Sequence, residues 1–188
     1  MRKNGRGLAM TRNSSIKTAV LCALGCAFLC ICAMISVPFA VPFTMQTFAL
    51  ALLLLLIGGK RTLLCVLLYL TIGAIGVPVF AGFMGGIGVF TSFSGGFLAG
   101  FAVMAGIFAC VSQKGRRRKL ALGLSFLGLY LFACLWCALL CAIWGTPMKA
   151  TAVFSLCVLP YLLPDLLKVC LAFVLAKQLK KSAFFRTL

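Results

Sequence analysis

Apolar residues run through this chain in long blocks, and the polar residues collect in short gaps between them. Each block is near the roughly 20 residues that a helix needs to cross a bilayer core. The pattern predicts a first helix over about 16–36. Pro38 and Pro42 then bracket a turn, and a second helix runs over about 43–57 to Gly58 and Gly59. A third follows over 62–76, a fourth over 95–111 and a fifth over 120–144. The last block, 151–180, is too long for one simple span and holds Pro160 and Pro164. Interior proline removes a hydrogen bond and clashes with the previous turn, whereas a first turn accepts it. The helix proper is therefore expected to start near Pro160 or Tyr161, leaving 150–159 as a segment too short to span.

Composition agrees: 64% of the 188 residues are hydrophobic and the mean hydropathy is +1.20. The expected class is an all-α integral membrane protein with six transmembrane helices over 16–180. A basic tail over 1–15 and a short tail over 181–188 flank it. A net charge of +17 would suggest nucleic acid in a soluble protein, but here the cations sit in clusters between apolar blocks. Arg2, Lys3, Arg6, Arg12 and Lys17 precede the first block, and Lys60 and Arg61 follow the second. Lys114, Arg116, Arg117, Arg118 and Lys119 follow the fourth; Lys177, Lys180, Lys181 and Arg186 follow the last. These are alternate connections, so the positive-inside rule places them, and both termini, in the cytoplasm of a cell-membrane protein. Nucleic acid is not an expected partner; membrane lipid is. The first block is longer than a signal core and no small-x-small cleavage site follows it, so it reads as a retained helix. Nearly all of the eleven cysteines fall inside the blocks, and Cys134 and Cys137 form a CxxC with no second pair and no histidine. They read as small apolar residues; no metal or cofactor is expected.

One acidic side chain changes the picture. Asp165 is the sole carboxylate side chain, it lies within the last block, and Lys168 stands three residues on. An ionisable group at membrane depth is costly unless paired or facing a polar cavity. The i, i+3 spacing sets both on one helix face, with Tyr161 one turn before Asp165. The pair is either a ligand site or an ion pair that fixes helix packing. Asp165 would sit in the first turns of the last helix, where the helix dipole favours a carboxylate and the site opens to the outside. The 73–100 stretch carries nine glycines, Gly85 and Gly86 among them. Close helix packing accounts for some, while 82–88 lies between helices and suits a lid or pocket wall. Ser15, Ala19, Ala23 and Ala27 recur every four residues on the first helix. This small-residue stripe serves internal packing or the docking of a partner subunit.

Two stretches, Pro42-Phe43-Thr44-Met45-Gln46-Thr47 and Tyr69-Leu70-Thr71-Ile72-Gly73-Ala74-Ile75-Gly76-Val77-Pro78-Val79-Phe80, resemble the BioY family. These are the biotin-binding S components of energy-coupling-factor (ECF) transporters. The likeness continues through Gly95-Gly96-Phe97-Leu98-Ala99-Gly100-Phe101 and ends at Leu159-Pro160-Tyr161-Leu162-Leu163-Pro164-Asp165-Leu166-Leu167-Lys168. The resemblance implies a six-helix S-component bundle that binds biotin on its outer side. Asp165 and Lys168 stand where the family's biotin-binding Asp and Lys stand. Tyr161, Gln46, Tyr69, Gly85 and Gly86 complete the candidate substrate-binding set, and Ala19, Ala23 and Ala27 the candidate docking face. The implied partners are a transmembrane T component and two ATP-binding subunits. The family's usual Gly-Pro-Thr-Gly-Gly-Tyr run is replaced by Ser92-Phe93-Ser94-Gly95-Gly96-Phe97, which alters that wall of the pocket. No Arg or Lys stands between Arg61 and Lys114, so no cation from this loop can hold the biotin carboxylate.

The chemistry fits independently. A ureido ring offers two N–H donors and one carbonyl, which a carboxylate and an ammonium can meet while apolar walls take the rings. Which end of biotin Lys168 meets is left open by the sequence. The competing function is a self-sufficient secondary transporter with Asp165 as proton carrier, although one carboxylate without histidine makes a poor relay. An enzyme is not expected, because no nucleophile–base set is present.

Overall fold

Helix α1 spans Asn4–Met34 and leads into a two-stranded hairpin, β1 (Ser36–Val37) and β2 (Phe43–Thr44), in the computed structural model of this chain. The structure describes residues 4–38, 42–112, 117–146 and 148–181, with side chains from Ser15 onward. The sequence-predicted cations Arg2, Lys3, Lys114, Arg116 and Arg186, the side chains of Arg6 and Arg12, and the tail beyond Lys181 lie outside these described residues. After the hairpin come α2 (Gln46–Ile57), α3 (Gly59–Ala74), α4 (Phe93–Val111), α5 (Arg118–Ile143), α6 (Ala150–Cys157) and α7 (Leu159–Leu179). Two short 3-10 turns, Ala81–Phe83 and Ile87–Thr91, fill the glycine-rich connection between α3 and α4.

Four helical stretches are long and apolar enough to cross a membrane: Ser15–Met34, Phe93–Val111, Arg118–Ile143 and Ala150–Leu179. The second apolar block departs from expectation. Its first residues pair as strand β2 with β1 (Ser36 opposite Thr44, Val37 opposite Phe43), so the helix begins only at Gln46. The remaining twelve residues reach about 18 Å at 1.5 Å each, less than the roughly 30 Å of a bilayer core. Every residue from Gln46 to Leu55 is buried. A leucine-rich helix with no exposed face is a core element, and α2 is the axis around which the others pack. It touches α7 most, then α1, while α3 bridges α1 to α4 and α4 lies along α5.

Helix α7 shows how the chain separates lipid from core. Tyr161, Asp165, Lys168, Ala172 and Ala176 are buried and recur at three- and four-residue steps along one face. Leu162, Leu163, Leu166, Leu167 and Val174 are all more than half exposed on the opposite side. In water such a leucine surface would be a liability; around this bundle it is the lipid contact. The segment before it, expected to be too short to span, is the eight-residue helix α6, and the break falls at Val158 (φ −118°, ψ −52°). Pro160 sits in the first turn of α7 as the sequence suggests, whereas Pro164 lies inside the helix. Having no N–H, Pro164 leaves the carbonyl of Pro160 without its helical donor.

Candidate substrate-binding site

Asp165 is the seventh residue of α7, in its second turn, and is 4% exposed; Lys168 is 6% exposed. Lys168 Nζ donates to Asp165 Oδ1 at 2.9 Å, to the Thr44 carbonyl at 2.7 Å and to Thr47 Oγ1 at 3.1 Å. All three of its protons are therefore placed. Phe43 covers the ammonium, its ring centroid 3.8 Å from Nζ. Asp165 Oδ1 also accepts from Thr47 Oγ1 at 2.8 Å, and Oδ2 accepts from the Tyr130 hydroxyl at 2.6 Å. A buried ion pair is tolerable only when its remaining donors and acceptors are satisfied, and this one meets that condition with groups from β2, α2, α5 and α7. The hairpin matters here: by keeping Phe43 and Thr44 out of the helix it frees the Thr44 carbonyl for Lys168.

A second polar group adjoins the first. Gln46 Nε2 donates to the Tyr69 hydroxyl at 2.6 Å, and that hydroxyl donates to the Val79 carbonyl at 3.1 Å. Gln46 Oε1 accepts from Thr44 Oγ1 at 2.9 Å. The two groups share Thr44, so residues from β2, α2, α3, α5 and α7 and the α3–α4 connection form one hydrogen-bonded floor.

Above this floor lies a narrow cleft, open at its mouth, with a cavity volume of about 40 Å³, below the roughly 300–1,000 Å³ of small-molecule sites, so a bound ligand must part its walls. Thr44, Gln46, Thr47, Asp165 and Lys168 form its polar end. The walls are apolar and aromatic, with Phe80, Phe97, Phe101 and Tyr161 lining it. Tyr161 lies flat on Phe43 with ring centroids 6.5 Å apart, and 5.8 Å from Phe97. Phe97 and Ser94, both from the altered Ser92–Phe97 run, reach the cleft.

Of the candidates read from sequence, Asp165, Lys168, Tyr161 and Gln46 converge on this cleft. Tyr69 is fully buried behind Gln46 and is not among the lining residues. Gly85 and Gly86 do not line it either; Met84 does. Gly86 has φ +92° and donates to the Gly73 carbonyl at 2.7 Å, while a Cβ at Gly85 would come 2.5 Å from the Val77 carbonyl oxygen. Both shape the connection that carries Met84 rather than the pocket surface. Ala19, Ala23 and Ala27 are all exposed on α1, and Ala19 lines a groove beside Leu64 and Leu68 of α3. Thr44 and Thr47, which line the cleft, and Tyr130, which donates to Asp165, were not singled out from the sequence. Thr44 and Thr47 stand inside a resembling stretch; Tyr130 is one of three tyrosines in the chain, and a hydroxyl in an apolar helix implies a buried partner.

A polar floor of this kind, under apolar walls, suits a small and mostly apolar ligand whose head offers neutral hydrogen-bonding groups. The model of the BioY family matches residues 8–184, nearly the whole chain. The chain belongs to the BioY family. Relatives include a probable biotin transporter BioY of Pyrococcus horikoshii, 34% identical over 73% of this chain and 79% of that protein. The biotin transporter BioY of Thermotoga maritima is 33% identical over 73% of this chain and 80% of its own length. Among solved structures, the S component for biotin from an ECF-type ABC transporter has the same fold, with a TM-score of 0.76. The likeness spans 91% of this chain and 94% of that one at 22% identity. Membership in this family, with four long apolar helical stretches, makes the protein a multi-pass protein of the cell membrane.

Proposed function

We propose that this protein is the biotin-capturing S component of an ECF-type uptake transporter and that the cleft over Asp165 and Lys168 is its biotin site. One observation carries the reading: the buried ion pair is held at the base of an apolar, aromatic-walled cleft. A purely structural pair has no need of a cleft above it. Thr47, Lys168 and Tyr130 take three of the acceptor positions of the Asp165 carboxylate, which leaves one on Oδ2 for a ureido N–H group. The apolar walls take the fused rings and the chain. The names of the relatives point to the same ligand.

Substrate capture without an energy source implies partners. The exposed Ala19/Ala23/Ala27 face of α1 lets another helix approach closely, and we assign it to a transmembrane T component that carries two ATP-binding subunits. The charge clusters support an orientation with both termini in the cytoplasm and the cleft toward the outside. Calorimetric titration of the purified protein with biotin and dethiobiotin tests the ligand assignment. Binding of both at a single site is expected, and absence of heat at saturating biotin overturns it. Uptake by proteoliposomes with and without the ATP-binding subunits separates this reading from a self-sufficient transporter.

A further inference from the structure

Among the described residues the cleft contains one cation, and it is spent. Lys168 directs its three protons at Thr44, Thr47 and Asp165, and the Phe43 ring covers it. The other charge at the cleft is the Asp165 carboxylate, which repels an anion brought alongside. Every remaining lining residue is neutral. Lys149, in the connection at this end of the molecule, is exposed and outside the lining. A ligand carboxylate drawn into the cleft would lose its water and find no counter-charge, and burying an unpaired charge is strongly disfavoured. The acid end of the ligand must therefore rest at the mouth, in water.

Building on the biotin reading, we infer that this site does not recognise the biotin carboxylate. It binds the ureido head and the apolar body, and it accepts biotin whose carboxyl is tied up as an amide as readily as the free acid. Lys168 accordingly belongs to the head end of the ligand, as the partner that holds Asp165 and Thr47 in place. The substrate class widens to carboxamide-linked biotin, such as proteolysis of biotin-carrying proteins releases.

The test is a calorimetric comparison of biotin with biotinamide on the purified wild-type protein, from about 50 to about 500 mM salt. The expected result is affinities within about fivefold of each other and no salt dependence, since a charge-assisted contact to the carboxylate would give a larger difference. Biotin binding more than about fivefold tighter than biotinamide overturns the inference and leaves the biotin site standing. A similar loss of biotin affinity in Lys149→Ala also overturns it. If neither compound binds, the biotin reading itself fails, and the inference with it.

Discussion

Exchanging the buried ion pair separates a ligand site from a packing device. Asp165→Asn keeps the side-chain shape but removes the charge that Lys168 Nζ faces at 2.9 Å. The carboxylate serves three donors, from Thr47, Lys168 and Tyr130. An amide has one acceptor oxygen for them and turns its own N–H₂ toward the rest. The ammonium, 6% exposed, is left without a counter-charge, a change that costs about 3–5 kcal/mol. Lys168→Met does the converse, leaving the carboxylate unpaired and the Thr44 carbonyl without its donor, at a similar cost. The double replacement removes both charges and leaves only unmatched polar groups, worth about 1–3 kcal/mol. Thermal unfolding in detergent, followed by scanning fluorimetry, should thus rank wild type above the double mutant and the double above either single. Calorimetry should rank them differently. Each single change should weaken biotin binding at least about tenfold, from the roughly 1.5–3 kcal/mol of a hydrogen bond to a charged group at 1.4 kcal/mol per decade. The double mutant should fold and bind no biotin. A well-folded double mutant with wild-type affinity would refute the assignment of the pair to the site.

Tyr130→Phe removes the one donor to Asp165 Oδ2 among the described residues, and biotin affinity should fall by about ten- to a hundredfold with the fold intact; unchanged affinity in a calorimetric titration counts against Tyr130 as a positioning residue. Ala23→Trp puts a large ring on the exposed stripe of α1 and should abolish co-purification with the T component while biotin binding persists; unaltered co-purification removes that face from the interface. An engineered cysteine beside Arg117, on a cysteine-free background, should react with a membrane-impermeant reagent only after the cells are opened; labelling from outside reverses the topology.

The local signals and the folded protein agree where a signal is short-ranged. The charge clusters, the block lengths and Pro160 marked the helices of the bundle, because membrane insertion and first-turn geometry depend on neighbouring residues alone. The Asp165–Lys168 pair was legible for the same reason: three residues apart in an apolar helix, they have no choice but to share a face. The second block was misjudged because its first residues pair with Ser36 and Val37, and backbone pairing across a turn leaves no periodicity in a run of apolar residues. Gly85 and Gly86 were misplaced because a glycine signals only that backbone comes close to something, not whether that something is a ligand or the chain itself.

The sequence by itself determined a multi-helix membrane protein with a single ion pair in its last helix, since hydropathy and the scarcity of carboxylates are properties of composition and order. Only the tertiary structure decided that Thr44, Thr47 and Tyr130 satisfy that pair, that Tyr69 stands behind Gln46, and that the alanine stripe faces outward. Those contacts join residues far apart in the chain, 23 positions for Gln46 and Tyr69 and 124 for Thr44 and Lys168. Nothing in a linear pattern records such distances, because they are set by how α2 is enclosed by its neighbours.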